Sequence, residues 1–327
     1  MDDVIMIVRK LKNVSTIVTG KSHISKGSPC QDRTRYVIQN NTHVLSLSDG
    51  AGSRTYSQYG AEIATQAACD YFSSNFDHAY LVLTDPSTTV DEQKALNEDF
   101  LNYLNHKIEE FLRTKPGMSA NDLLCTLEFV AIKGNHYIAG HCGDGVIGVL
   151  TDFNNREKLQ VLSHPDNGAA SNITFFINDK SGATHLRFYT GNMAKVEGFI
   201  LMSDGPEEVL YNKVKGLSPN TSIFFNAVRS GTTKECKEIF DKVLSEKIAE
   251  VSYDDLSVNV LVYTDFDLDK NNNVDEISEF FDAVFENQIV IESGYYATID
   301  LCRNQDGHLL RGSQVVEKIN KLKGQCV

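Results

Sequence analysis

The feature that most constrains this chain is a repeated one: an apolar, strand-like run that ends in a carboxylate and a glycine. Val44-Leu45-Ser46-Leu47-Ser48 runs into Asp49-Gly50-Ala51-Gly52-Ser53. Phe199-Ile200-Leu201-Met202-Ser203 runs into Asp204-Gly205, and Tyr137 to Gly143 runs more loosely into Asp144-Gly145. One such run is commonly a strand and a plain turn, because Asp and Gly both favour turns. Three of them imply carboxylates gathered at one place. The glycines let the backbone turn sharply there and let its carbonyls approach a ligand. Gathered carboxylates repel one another unless a cation lies between them.

Charge and cysteine usage narrow the class. The chain has 327 residues, 41% of them hydrophobic, and a formal net charge of −13. That length and apolar content support a buried core in one large domain or two ordinary ones. Acidity on this scale argues against nucleic acid as a partner, since a phosphate-backbone reader needs a basic face. The 7 cysteines are scattered and odd in number, with no Cys-x-x-Cys pair. This reads as reduced thiols rather than a disulfide frame or a zinc site. Acids lead the N-terminal apolar run, which suits no secretory signal, and no run is long enough to span a membrane. The expectation is a cytoplasmic protein with no membrane partner.

Hydrophobic periodicity sets the expected elements. Residues 4–8 and 14–18 read as two short strands, followed by a polar loop from Gly20 to Pro29. Tyr36 to Ile38 and Thr42 to Ser48 read as a hairpin across Asn40-Asn41. Helices are expected over about 56–76 and 91–113, the second with Leu96, Phe100, Leu104, Ile108 and Phe111 on one face. Three runs, 124–132, 136–142 and 146–150, read as an antiparallel meander. Strands follow at 159–162, 173–177, 186–189 and 199–202, helices at 206–212 and 233–250, and a strong last strand at 256–263. Grouped strands between long helices suggest antiparallel sheets packed with helices. Composition shifts near residue 265 to an acidic, Asn-rich stretch. We therefore divide the chain into 1–264 and a small α/β appendage, 265–327.

Two motifs are near misses. Ser15 to Ser22 approaches the phosphate-cradling G-x-x-x-x-G-K-[ST] pattern, but Ser15 replaces its first glycine. The residues after Ser22 offer no helix to hold phosphates. Asp267 to Ser278 imitates a calcium loop, but Ser278 stands where a bidentate Glu is needed.

Two further acids complete the pattern: Asp32 in Pro29-Cys30-Gln31-Asp32, and Asp254 in Tyr253-Asp254-Asp255-Leu256. The ordered series Asp32, Asp49-Gly50, Asp144, Asp204-Gly205, Asp254-Asp255 resembles the metal-dependent serine/threonine protein phosphatases of type 2C. Gly20-Lys21-Ser22-His23-Ile24 and Ser171-Asn172-Ile173-Thr174-Phe175-Phe176 fit the bacterial subgroup of that family. The resemblance covers roughly residues 14–264. It implies an α+β fold, a four-layer αββα sandwich of two antiparallel sheets flanked by helices, with a two-metal centre at one end. It also implies Mg²⁺ or Mn²⁺ as cofactors, in two sites and a weaker third. Asp49 would bridge the ions, Gly50 would offer its carbonyl, Asp204 and Asp254 would hold the second ion, and Asp144 would face the third. Asp32 would orient water. The implied partner is a phosphorylated protein substrate, together with a cognate kinase.

The chain departs from the family at several positions. Gln31 replaces a frequent Glu, and Asp255 an Asn. Ala51 stands where many members carry a histidine proposed to protonate the leaving alkoxide. Gly27 stands where a phosphate-binding Arg is usual. Lys26, Arg33 and Arg54 are candidate phosphate anchors, and His23 and His141 are candidate substitutes for the missing acid. Each also reads as an ordinary surface charge or a structural histidine. The rival reading is a non-catalytic phosphoprotein-binding or regulatory module that keeps the fold.

Overall fold

A computed structural model describes residues 7–154, 156–166, 174–180 and 182–267. The appendage 265–327, the calcium-loop mimic and Ser171 to Ile173 fall wholly or largely outside the described residues. The chain divides into two compact units, one formed by Leu11–Ile38 and Thr42–Tyr263, the other by Met1–Lys10, Gln39–Asn41 and Thr264–Val327. In the described part of the second unit, Asn40 and Asn41 take left-handed φ values of 51° and 59°. Thr264 Oγ1 there donates to the Lys10 carbonyl at 3.2 Å.

Most of the sandwich belongs to the first unit. Its strands are β1 (Ile7–Val18), β2 (Arg33–Gln39), β3 (Thr42–Ser48), β4 (Leu127–Lys133), β5 (His136–Cys142), β6 (Val146–Asp152), β7 (Glu157–Ser163), β8 (Arg187–Asn192), β9 (Val196–Met202), β10 (Tyr211–Asn212), β11 (Gly216–Leu217) and β12 (Leu256–Asp267). Its helices are α1 (Lys21–Lys26), α2 (Ser57–Thr84), α3 (Val90–Arg113), α4 (Gly182–His185), α5 (Asp204–Leu210), α6 (Ser222–Ser230) and α7 (Thr233–Val243). One five-stranded sheet has the order β2-β3-β4-β5-β8, and the other β1-β12-β9-β6-β7.

Alternation along the strands builds three apolar layers, because successive side chains leave opposite faces of a strand. Val44, Leu127, Phe129 and Ala131 face α2 and α3, where Phe72 and Phe100 pack. Leu45, Leu47, Val130, Ile132, Phe199 and Leu201 fill the space between the sheets. Ile200, Met202, Val258, Val260 and Val262 face α6 and α7, against Phe224, Phe225 and Phe240. Asn259 shares the inter-sheet parity of Leu261 and ties the layers together. Its Nδ2 donates to the carbonyls of Arg35 and Ser46, both at 3.0 Å.

The structure corrects several expectations. The two N-terminal strands are one, β1. The expected loop after Gly20 holds a short helix, α1, which ends at Gly27 with a left-handed φ of 65°. Its Ser22 N–H already donates to the Tyr253 carbonyl at 3.0 Å, so this helix start is no phosphate cradle. The expected three-stranded meander is split. β5 pairs with β4 and β8, whereas β6 pairs with β7 and β9 in the other sheet. Gly143-Asp144-Gly145 is therefore a crossing between sheets, not a hairpin turn, and it brings Asp144 to the sandwich end that receives Asp49 and Asp204. The described part of 173–177 forms no extended strand, and α6 was not anticipated.

Candidate metal centre

Each acid reaches the centre by a local device. Asp49 leaves the end of β3, where its N–H donates to Thr126 Oγ1 at 3.0 Å and its carbonyl accepts from the Thr126 N–H at 2.8 Å. The bridge continues through Gly50 to Cys125, and Ala51 N donates to the Leu124 carbonyl at 2.9 Å. Asp204 follows β9 and opens α5. Asp144 sits at the sheet crossing, and its Oδ2 accepts a hydrogen bond from Thr174 Oγ1. Next to it only glycine fits at position 145, because a Cβ there would stand 1.7 Å from Glu128 Oε1 and 2.5 Å from the Met202 carbonyl.

Asp49, Asp144 and Asp204 each offer an oxygen within 4.8 Å of the others. Asp32 is fully buried, and neither of its oxygens meets a donor at full hydrogen-bond geometry. Asp144 Oδ1 and Asp204 Oδ1 are likewise buried and unsatisfied. Burial pushes the Asp49 carboxyl well above the usual carboxylate range, and the charges of Asp32, Asp204, Asp144 and Asp254 push it further. Burial raises Asp204 in the same way, with Asp254 and Asp144 adding to it. Asp32 is pushed up to about 6, chiefly by burial, while contact with Asp49 pulls it partly back. Every one of these charges is negative. All-oxygen donors with unpaired lone pairs and mutual repulsion fit a hard divalent cation such as Mg²⁺ or Mn²⁺.

Asp254 stands outside the tight triple and is exposed, although its charge acts on both Asp49 and Asp204. Its Oδ1 accepts from the Asp255 N–H at 2.8 Å. Asp255 itself is buried. It accepts from the N–H of Gly20 at 2.7 Å and of Gln31 at 2.6 Å, and lies 2.9 Å from His23 Nδ1. Lys26 and Arg54 are exposed, and the Arg54 carbonyl accepts from Gln31 Nε2 at 2.7 Å. Arg33 is engaged locally, donating to the carbonyls of Cys30 and Asp32 and lying 3.3 Å from Glu62. His141 is 0% exposed and 2.7 Å from Ser163 Oγ, with burial holding its pKa well below the ordinary value. His23 and His141 are therefore both buried and engaged with framework partners, Asp255 and Ser163.

Glu128 is a group the sequence reading passed over. It lies in the apolar run of β4 on the same parity as Val130, so it points between the sheets and is fully buried. Burial pushes its carboxyl well up, and Asp144 adds to the effect. A lone acid inside Leu127-Glu128-Phe129-Val130 was the available signal. Thr126 and Thr174, which fix Asp49 and Asp144, carried no comparable signal.

The arrangement matches known proteins. A family model described as Protein phosphatase 2C matches residues 19–246. Serine/threonine-protein phosphatase 3 of Escherichia coli (strain K12) is 27% identical over 259 residues, covering 75% of this chain and 94% of that protein. Among solved structures, the serine-threonine phosphatase 2C of Toxoplasma gondii superposes with a TM-score of 0.52 at 12% identity, covering 80% of this chain and 100% of that one. The catalytic domain of PstP, solved with 2 manganese ions, gives 0.50 at 15% identity, covering 79% and 100%. Stp1 of Staphylococcus aureus gives 0.50 at 13% identity, covering 77% and 95%. These distant structures share the two-sheet sandwich, and the family match spans β2 to β11 with Asp32, Asp49, Asp144 and Asp204, ending before Asp254 and β12. The chain belongs to the protein phosphatase 2C family.

Proposed function

We propose that the chain is a metal-dependent phosphoprotein phosphatase that hydrolyses phosphoserine and phosphothreonine. The observation that carries this reading is the convergence of Asp49, Asp144 and Asp204 within 4.8 Å, beside a buried Asp32 whose oxygens meet no donor at full hydrogen-bond geometry. In this reading Asp49 and the Gly50 carbonyl would hold the principal ions together with Asp204 and Asp254, and Asp144 would hold a weaker third. Bound there, Mg²⁺ or Mn²⁺ supplies Lewis acidity toward water and the phosphoryl oxygens. Asp32 accepts a hydrogen bond from the attacking water and orients it toward phosphorus. Lys26 and Arg54 attract the phosphoprotein. No side-chain nucleophile is required. Cys142 is fully buried, and burial raises its thiol, so it makes no thiolate for attack.

The same reading takes residues 1–264 as the phosphatase domain and 265–327 as an appendage, with a cognate kinase as the source of substrate. Among the described residues Cys30, Cys69, Cys125, Cys142 and Cys236 are all free thiols, which supports a reducing, cytoplasmic setting. No helix among the described residues is long and apolar enough to cross a membrane. Turnover of p-nitrophenyl phosphate and of a phosphoserine peptide, with Mn²⁺ and with chelator, tests the proposal. Absence of metal-dependent turnover on both substrates rejects it. Ala51 and Gln31 favour the rival, a non-catalytic phosphoprotein-binding module. Calorimetric titration with Mn²⁺ separates the two, since failure to bind supports the rival.

A further inference from the structure

With Ala51 in place of a histidine, and His23 and His141 buried in the framework, the leaving oxygen has no assigned proton donor. A different histidine, His185, is linked to Asp144 through its neighbours on two sides. Asp144 accepts a hydrogen bond from Thr174, and the next residue, Phe175, stacks on the His185 imidazole with centroids 3.4 Å apart and planes within 12°. The Phe175 carbonyl is pinned by Cys142 Sγ at 3.7 Å, two residues before Asp144. On the other side, His185 Nδ1 lies 3.0 Å from Asp166 Oδ2, and the Asp166 N–H donates to the Gly143 carbonyl at 2.8 Å. Two separate contact paths, through Thr174-Phe175 and through Asp166-Gly143, thus lead from His185 back to Asp144.

The exposure suits proton transfer. The His185 side chain is 27% exposed and its Asp166 partner 26%, whereas His23 and His141 are 6% and 0%. A carboxylate on Nδ1 fixes the ring's orientation and leaves Nε2 as the nitrogen to carry the transferred proton. Phe175 holds the ring plane.

We propose that His185, oriented by Asp166, donates the proton to the seryl or threonyl oxygen that leaves phosphorus; this rests on the phosphatase reading above. Water oxygen forms the new bond to phosphorus as the bond from phosphorus to the seryl oxygen breaks. That electron pair stays on the seryl oxygen, which takes the proton from Nε2 of the imidazolium and leaves as the free hydroxyl. The water retains one proton as part of the phosphate product and releases the other to solvent, from which the neutral imidazole is reprotonated.

The experiment compares a substrate whose leaving group needs a proton with one whose leaving group does not. p-Nitrophenolate is a stable anion, whereas a seryl alkoxide is not. For the wild-type protein with Mn²⁺, turnover of both substrates is measured first; hydrolysis of neither overturns the phosphatase reading and this proposal with it. Given turnover, His185→Gln lowers the ratio of phosphoserine-peptide kcat to p-nitrophenyl phosphate kcat by about 100-fold or more, the usual worth of a positioned general acid. Asp166→Asn, which loosens the ring without removing it, lowers the same ratio by a smaller factor. Mn²⁺ affinity, measured calorimetrically, stays at the wild-type value in both variants. Equal loss on both substrates, an unchanged ratio, or loss of Mn²⁺ binding assigns His185 a structural role and overturns the proposal.

Discussion

Asp49 and Thr126 hold each other by two hydrogen bonds, Asp49 N–H to Thr126 Oγ1 at 3.0 Å and Thr126 N–H to the Asp49 carbonyl at 2.8 Å. The second is a backbone bond that any residue but proline at 126 could make, whereas the first needs the hydroxyl. Thr126→Val keeps the shape and removes the acceptor, leaving a buried N–H unpaired. The expected result is a stability loss of about 1–3 kcal/mol in urea unfolding. Mn²⁺ affinity should fall about 10-fold, in the range typical of groups that orient ligands. Thr126→Ser should restore most of both. Equal affinity in the Val variant would mean that Asp49 is held by the backbone alone.

Asp49→Asn and Asp204→Asn test the centre from both directions. Each removes a negative charge from a cluster in which every neighbour is negative. Turnover with Mn²⁺ is expected to fall by more than about 100-fold, beyond the usual cost of an outer-shell change. The chelated protein is expected to melt at a higher temperature than chelated wild type, because repulsion among buried carboxylates is relieved. A lower melting temperature together with lost activity would indicate misfolding rather than ligand loss.

The pattern of legibility follows from which interactions are local. Asp49, Asp144 and Asp204 were readable because a strand-end acid followed by glycine is a local signature, and Asp32 and Asp254 gained meaning from their order. The crossing at Gly143-Asp144-Gly145 was misread because a short Gly-Asp-Gly link looks the same in a hairpin and between sheets. Only the pairing of Val146 to Thr151 with β9, some 50 residues later, distinguishes the two. α1 was missed because six residues carry too little periodicity, and its position depends on the distant Tyr253 carbonyl. Glu128 hid inside an apolar run, where period-2 reading records the strand and passes over the acid.

Asp255 gathers three segments of chain. Gly20 N–H, Gln31 N–H and His23 all converge on its two oxygens at 2.6–2.9 Å. It thereby fixes Gln31-Asp32 relative to Asp254, its own chain neighbour. Asp255→Ala removes the acceptors and leaves these groups buried, with an expected loss of about 3–5 kcal/mol, as for a broken buried pair. Asp255→Asn keeps one acceptor oxygen and should lose less. Chemical unfolding of the two variants measures this; equal stability to wild type would remove Asp255 from the framework.

Gly20 lies against the same strand end with no room for a side chain. A Cβ there would stand 2.3 Å from the Asp254 carbonyl carbon and 2.4 Å from its oxygen. Gly20→Ala must therefore displace the Asp254 backbone from its present position. The expected outcome is weakened Mn²⁺ binding with the fold retained, read by calorimetry and circular dichroism. Unchanged affinity would show that Asp254 contributes no ligand.

Stability without metal should depend on pH in an inverted sense. Asp49 and Asp204 titrate well above the ordinary carboxylate range and Asp32 near about 6, burial being the first cause in each. A carboxyl raised in the folded state binds its proton more tightly there than in the unfolded chain. Stability from these groups is therefore full below the unfolded value and falls as pH rises through the folded one. The lowered carboxyls, Asp85, Glu92, Asp122 and Glu235, lose their contribution only as pH falls below the ordinary range, so they do not oppose this trend above it. His141, lowered by burial, opposes the trend as pH falls below the ordinary histidine value, but Glu128, Asp144 and Glu207, raised chiefly by burial, add to the effect of the cluster and outweigh it. Chelated protein should accordingly melt about 2–8 °C lower at about pH 7.5 than at about pH 5, the shift expected for about 1–2 kcal/mol in a domain of this size. Mn²⁺ should reverse the loss at the higher pH and do little at the lower, where protons already occupy the oxygens. Asp49→Asn should flatten the profile. A chelated melting temperature that instead rises toward neutral pH, with no response to Mn²⁺, would mean that the buried carboxylates are compensated within the protein and that the cluster holds no cation.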